Sequence, residues 1–310
     1  MARNTHRQNR IKNPWISVLI LLIFAVISVF QNTDILDRLP GYSITVPGTA
    51  AVAGDGELLI RLLDVGQADC ILITEGDEAM LIDTGDPGDE EIILPALDSY
   101  GVERLDYLVL THPHSDHIGS AVEVLDALPV EAVILSDAPY TTKLYENTLS
   151  AIEESGAEVF LAVPGDDYTL GEATFEILAP SKDTDVSDIN DASVCLRLTY
   201  QGRTALFTGD ATRAVESEIL DAGFDVHADI YKAGHHGSAT SNAQTWLNAV
   251  DPSYVFISCR EDSDDNLPNP DVLKRLVNTG ADIYRSDIHG VITASIRSGE
   301  ITITTEREAA

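Results

Sequence analysis

Basic side chains are scarce in this sequence: 19 Lys and Arg stand against 51 Asp and Glu in 310 residues, a formal net charge of −32. So acidic a chain does not hold long nucleic acid by blanketing phosphates with cations, and whatever it binds is recognised locally. Cysteine is nearly absent too. Cys70, Cys195 and Cys259 are odd in number, far apart and set in apolar runs. That excludes a disulfide scaffold or a cysteine-based zinc knuckle and reads all three as small buried hydrophobes. With 44% hydrophobic and 23% charged residues, the chain is neither disordered nor collagen-like, and its length allows one large domain or two small ones.

The charge is uneven. Residues 1–14 carry Arg3, Arg7, Arg10 and Lys12 and no acid, which leaves 15 basic against 51 acidic residues, a net of −36, for the remainder. An apolar run, Trp15 to Phe30, follows, and nothing charged stands between Lys12 and Asp34. As a helix those positions would span roughly 31 Å, about the thickness of a hydrocarbon core. Basic flanks and hydrophobicity on every face argue against a globular helix. The one small-x-small stretch, Ala51-Val52-Ala53, lies too far downstream for ordinary signal cleavage. The expected organisation is a basic cytoplasmic tail at 1–14, an uncleaved anchor at 15–33 with a cleaved signal as the alternative, a Pro/Gly-punctuated linker at 34–56, and a folded domain at 57–306. By the positive-inside rule the anchor is single-pass in the cytoplasmic membrane, and the acidic bulk faces outward.

Beyond Glu57, strand-like and helical patterns alternate. LLIRLLDV, CILITEG, AMLIDTG, LDYLVL, EAVIL, EVFLAV, ATFEILA, SVCLRLTY, RTALFTG, ADIYKAG and YVFIS read as strands. Helical patterns cover 90–100, 121–128, 143–155, 213–222, 242–250 and 270–279, and VITASIRSGEITITTE closes the chain as a hairpin. The fold class is α/β, with two mixed sheets packed face to face and helices outside.

The chemistry is concentrated in loops. After LDYLVL comes Thr111-His-Pro-His-Ser-Asp-His117, with four potential metal ligands in the six positions 112–117. In an extended segment His112 and His114 point the same way and reach one ion, while Asp116 and His117, at a helix start, turn toward a neighbouring one. Burying three imidazoles and a carboxylate without a metal would carry a large desolvation cost. Asp83 follows AMLI, Asp210 follows ALFTG, and His235 and His236 follow ADIYKAG. Each stands where an apolar strand gives way to a glycine-bearing turn, so they converge with the histidine cluster. Asp210 then suits a bridge between two ions, and one of His235 and His236 completes the second ion's ligand set.

These motifs, LIDTG, HxHxDH, TGD and GHHGS in that order, resemble the metallo-β-lactamase superfamily of two-metal hydrolases. Leu63-Asp-Val-Gly-Gln-Ala-Asp69, Asn190-Asp-Ala-Ser193, Lys232 to Ser238 and Ser286 to Gly290 resemble, more narrowly, the extracellular hydrolase domain of ComEC-type DNA-uptake proteins, as a free-standing, membrane-anchored relative. The resemblance implies a four-layered αββα sandwich with two divalent metal ions, zinc or manganese, between the sheets. One ion would take His112 and His114. The other would take Asp116, His117 and His235, with Asp210 bridging. No histidine lies between His117 and His227 to complete the first ion's shell, and Asp191 is the expected substitute. An oxygen donor there weakens the preference for zinc and lowers the first site's occupancy. Ala68 stands where the ComEC-like pattern has glycine. With one apolar run in place of a many-helix channel, the sequence is not expected to form a translocation pore.

Asp83, Asp64, Gln67, Asn190 and Ser193 are expected to support the ligands from behind or to line the site, with Asp69 beside them. His227 and His289 read as surface and structural residues, and Ser238 lacks the strand-to-helix context of a serine nucleophile. The expected chemistry is metal-assisted hydrolysis by a water held near Asp116 and Asp210, with His236 hydrogen-bonding a phosphoryl oxygen or protonating the leaving group. The expected substrate is a small or cell-envelope phosphodiester rather than long nucleic acid. Alternatives are a nuclease acting on DNA, a hydrolase of a lactone, thioester or lactam, and a non-catalytic anchored binding domain with one structural metal.

Overall fold

The computed structural model describes residues 54, 56–261, 263 and 266–308. The basic tail, the apolar run and all of the linker except residues 54 and 56 lie outside the described residues. Among the described ones, no helix is long and apolar enough to cross a membrane.

Short apolar runs bounded by tight turns open the domain. β1 (Glu57–Leu62), β2 (Ile71–Glu75) and β3 (Glu78–Ile82) pair antiparallel in sequence. Helices and parallel strands then alternate through α1 (Glu90–Ser99), β4 (Leu105–Leu110), the one-turn α2 (Ser115–Ile118), α3 (Ala121–Ala127), β5 (Val130–Leu135), α4 (Lys143–Ser155) and β6 (Glu158–Leu161). Four antiparallel strands follow: β7 (Asp167–Leu170), β8 (Ala173–Ala179), β9 (Cys195–Tyr200) and β10 (Arg203–Phe207). Next come α5 (Arg213–Ala222), β11 (Ile230–Lys232), α6 (Gln244–Val250), β12 (Tyr254–Ile257), α7 (Pro270–Thr279) and β13 (Asp282–Arg285), with β10 to β13 parallel. The one-turn α8 (Ser286–His289) leads into the hairpin β14 (Ile292–Arg297) and β15 (Glu300–Thr305).

The longer helices begin and end where local chemistry dictates. Thr142, Thr212 and Asn269 accept backbone N–H groups at the starts of α4, α5 and α7, and left-handed Gly156, Gly223 and Gly280 stop the same three.

Two sheets result, an eight-stranded one in the order β15-β14-β1-β2-β3-β4-β5-β6 and a seven-stranded one in the order β13-β12-β11-β10-β9-β8-β7. Ile60, Ile73 and Val109 of the first sheet and Phe175, Leu198 and Phe207 of the second belong to one buried cluster, so the sheets pack face to face. Full burial of each such side chain is worth about 2 kcal/mol. The outer face of the first sheet packs on α1 to α4, and that of the second on α5 to α7. This is the expected αββα sandwich. Among the departures from the sequence reading are β13 and α8, four residues each and too short to show a period. β7 was not anticipated, because DYTL presents a single buried residue, and the helix expected from Asn242 starts at Gln244, because Asn242 adopts φ +59.

Topology places the site. In both sheets the parallel strands carry their C-terminal ends to one crevice, the usual location of ligand sites in such sheets. There the two halves are joined by backbone, the N–H of Val194 donating to Thr111 O at 2.9 Å, and within the first half the N–H of Asp69 donates to Asp116 O at 3.0 Å.

Candidate metal centre

β4 delivers Thr111 and His112 to the crevice, and His114, extended at ψ 154, turns the chain into α2. Asp116 and His117 stand on the only turn of that helix. Gly119 permits its docking: a Cβ there would lie 2.2 Å from the carbonyl carbon of Asp86, and its N–H donates to Gly85 O at 2.7 Å. Asp83, at the end of β3, takes φ +60, a left-handed conformation that is strained for a non-glycine residue. There its carboxylate accepts the Thr111 N–H at 2.8 Å, the Thr111 hydroxyl at 2.7 Å and His117 Nδ1 at 2.7 Å.

The second sheet contributes from across the crevice. Asp210 follows β10, its N–H donating to Ser193 Oγ at 3.1 Å, and the same oxygen lies 3.4 Å from His112 Nδ1. After β11, His235 and His236 both adopt φ +51. Two consecutive left-handed residues aim the rings apart, with centroids 6.2 Å from each other. His236 is buried, and His235 keeps 23% of its side-chain surface exposed. His117 Nε2 lies 3.4 Å from Asp210 Oδ1 and 3.8 Å from Asp116 Oδ2, and His236 Nε2 lies 3.4 Å from Asp116 Oδ2 and 3.8 Å from Asp210 Oδ2. One ligand atom from each of Asp116, His117, Asp210 and His236 thus falls within 4.8 Å of the others. Beside this group, His112 Nε2 and His114 Nδ1 stand 3.0 Å apart.

The donor set fits a cation. His117 Nε2, Asp210 Oδ1 and His236 Nε2 are buried without a hydrogen-bond partner. Each such orphan costs about 1–3 kcal/mol, and convergence of three on one point is what a metal resolves. The electrostatics agree. Burial opposes charge on His117, but Asp210 and Asp83 raise it well above the usual imidazole range. Burial likewise opposes charge on Asp210, and His117 and His236 hold it well below the usual carboxylate range. Asp116 is lowered against its own burial by His236, 3.4 Å away, and by the charge of His117. His112, by contrast, is depressed well below its ordinary value by burial and by its neighbour His117.

Several expected roles change. His236, not His235, stands in the four-donor group, while His235 sits at the rim with Nε2 3.4 Å from Asp210 Oδ2 and Nδ1 3.0 Å from the Thr240 hydroxyl. The left-handed backbone at both residues sends the two rings to different places, His236 inward and His235 to the rim. Asp191, the expected substitute ligand, accepts the Thr212 N–H at 3.1 Å and is outside the converging groups, since its 3-10 turn (Ile189–Ala192) faces the start of α5. Asp64 is drawn away by an ion pair with Arg307 at 2.9 Å. Gln67 accepts the Ser263 hydroxyl, and Asn190 donates its backbone N–H to the capping carboxylate of Asp188, its own Oδ1 unpartnered. Asp83 and Ser193 contact ligands directly. His227 is exposed, and His289 Nδ1 accepts the Arg285 N–H. Sequence reasoning passed over Ser258, which follows β12 and contacts His236; its place after a strand parallel to β11 was the available signal.

A two-sheet αββα sandwich with His and Asp donors at its strand ends defines a metallo-hydrolase. Residues 63–259 match the metallo-beta-lactamase superfamily, and the chain belongs to it. It is 27% identical over 259 residues to ComE operon protein 3 of Bacillus subtilis (strain 168), covering 78% of this chain and 33% of that protein. It is 28% identical over 249 residues to Competence protein ComA of Neisseria gonorrhoeae, covering 80% and 33%. The chain spans about a third of the length of these relatives. Among solved structures, the metallo hydrolase Igni18 from Ignicoccus hospitalis shares the fold, with a TM-score of 0.52 at 15% identity over 79% of this chain and 98% of that one.

Proposed function

We propose that this chain is a metal-dependent phosphodiesterase acting on a small or cell-envelope phosphodiester outside the cytoplasmic membrane. The convergence of three buried, unpartnered atoms on His117, Asp210 and His236 carries the reading. Asp116, His117, Asp210 and His236 would hold one cation, and His112 and His114 a second beside Asp210, which has a carboxylate oxygen to offer each. Bound zinc or manganese would supply a Lewis acid and a water acidic enough to ionise near neutral pH.

The chain's own residues supply the rest. The carboxylate of Asp116 is 29% exposed and accepts a hydrogen bond that orients an attacking water. His235, open to solvent and oriented through Nδ1 by Thr240, takes the role first expected of His236: it donates to a phosphoryl oxygen or to the leaving group. The resemblance of the motifs to the ComEC-type hydrolase group favours a phosphodiester over a carbonyl substrate. The acidic surface argues for a short one, because a polyanion is repelled over its whole length while a single phosphodiester is held locally. The basic residues before Trp15 and the apolar run support the outward location.

The test is kcat/KM of the full chain on bis(p-nitrophenyl) phosphate and on long single-stranded DNA at rising monovalent salt, with the metal fixed. Preference for the short ester, and DNA turnover that improves as salt screens repulsion, are expected. A preference for long DNA at low salt that declines with added salt would overturn the substrate assignment in favour of a nuclease.

A further inference from the structure

Behind the metal-facing side of His236 lies a chain of buried polar groups. Lys232 and Asp69, 163 residues apart and each about 1% exposed, form an ion pair at 2.9 Å, and Lys232 Nζ also donates to Ala233 O at 3.1 Å. The Ser258 hydroxyl donates to the other oxygen of Asp69. His236 Nδ1 lies 2.9 Å from that hydroxyl oxygen and 3.2 Å from the Ser258 carbonyl.

We infer that Asp69, held by Lys232 and acting through Ser258, is a positioning residue that fixes His236 in the orientation and tautomer leaving Nε2 bare for a metal. The inference rests on the reading of this cluster as a metal centre.

Counting protons leads there. A serine hydroxyl has one hydrogen, and that of Ser258 goes to Asp69, so the oxygen facing His236 accepts. The Ser258 carbonyl can only accept. Asp69 Oδ1, 3.5 Å from Nδ1, is an acceptor as well, so all three neighbours of Nδ1 call for a proton on it, and in the neutral ring Nε2 is left with its lone pair toward Asp116 and Asp210. If Asp69 did not accept, the Ser258 hydrogen would be free to turn to Nδ1 and drive the ring proton to Nε2, where it blocks coordination. Lys232 has a matching duty: an unpaired carboxylate is not kept in so dry a place. A buried ion pair is rarely more stable than apolar residues of the same size, so fold stability alone does not account for this one. Asp69 is also tied to the ligand segments by backbone, its N–H on Asp116 O and its carbonyl accepting from Gly85 N at 2.9 Å.

The experiment uses the full chain stripped of metal and titrated with cobalt(II) against a chromogenic chelator, with the cobalt d–d spectrum recorded and the unfolding temperature of each metal-free protein measured alongside. Ser258→Ala cuts the link and spares the ion pair. Asp69→Asn combined with Lys232→Met removes the carboxylate without stranding a buried cation. The double variant should weaken binding of one cobalt about 10–100-fold, and Ser258→Ala, which leaves the Ser258 carbonyl and Asp69 to accept from Nδ1, should weaken it less but measurably. Each should alter the d–d band, with little change in unfolding temperature for Ser258→Ala. Should the double variant fail to fold, Ser258→Ala alone decides. Cobalt affinity and spectrum unchanged from the unmutated chain would overturn the inference and reduce the chain of groups to packing. If the unmutated chain takes up no cobalt, the metal-centre reading fails first, and this inference with it.

Discussion

His117 holds Asp83 through Nδ1 at 2.7 Å and faces Asp210 through Nε2 at 3.4 Å. The Thr111 hydroxyl donates to the same Asp83 oxygen, so that oxygen has only acceptor capacity to offer the ring. The proton of neutral His117 is thereby pinned on Nδ1 and its ligand lone pair on Nε2, the carboxylate support common behind metal-bound histidine.

Asp83→Asn tests this pinning. The side-chain amide would present N–H to a ring nitrogen that needs an acceptor, favouring the tautomer with a proton on Nε2. Metal affinity should fall about 10–100-fold, read by chelator competition, with far-ultraviolet circular dichroism unchanged. Wild-type affinity would show that the contact does not set the ligand.

His114→Ala and Asp210→Ala should each lose bound metal and lower turnover at least about a hundredfold while keeping the fold. Both side chains stand at loop positions past the apolar strands, and His114 makes no side-chain cap bond to α2, so neither deletion opens a core cavity. Elemental analysis of the purified variants checks the first effect. Unchanged metal content in both would rule out the ligand set.

What was legible in the sequence was local. HxHxDH puts its donors on one strand end and one helical turn, and α4, α5 and α7 are bracketed by a capping side chain and a glycine within the same short stretch, so spacing alone located them. What was not legible depends on contacts across the chain. Nothing near Asp69 announces that Lys232 and Ser258 will meet it 163 and 189 residues later. The choice between His235 and His236 is made by the paired left-handed backbone of their turn, which no period reveals. Asp64 and Asp191 look like site residues by order along the chain, but Arg307 and the Thr212 N–H claim them.

Glu216 gives stability a pH dependence of its own. Its buried carboxyl, which accepts the Asn242 and Ala243 N–H groups at 2.5 and 2.9 Å, is pushed by burial from 4.5 up to about 7. A raised acid favours the protonated fold, so this contribution is present below pH 4.5 and is lost as pH rises toward 7, by about 3 kcal/mol over that window. Glu216→Gln lacks the loss. Its unfolding temperature relative to wild type should therefore rise between pH 5 and pH 7, and a difference that is flat across that range would refute the buried-acid assignment.

Topology has its own check. With the basic residues before Trp15 cytoplasmic, protease added to intact spheroplasts should remove the 57–306 domain. Protection until lysis would reverse the proposed orientation.

Metal-dependent turnover is the most direct measurement. The full chain, stripped with chelator, should fail to hydrolyse bis(p-nitrophenyl) phosphate, regain activity as zinc or manganese is added back, and saturate at no more than two ions per chain by elemental analysis. Equal hydrolysis by the stripped protein, or saturating metal with no phosphodiester turnover, would contradict a metal-dependent phosphodiesterase.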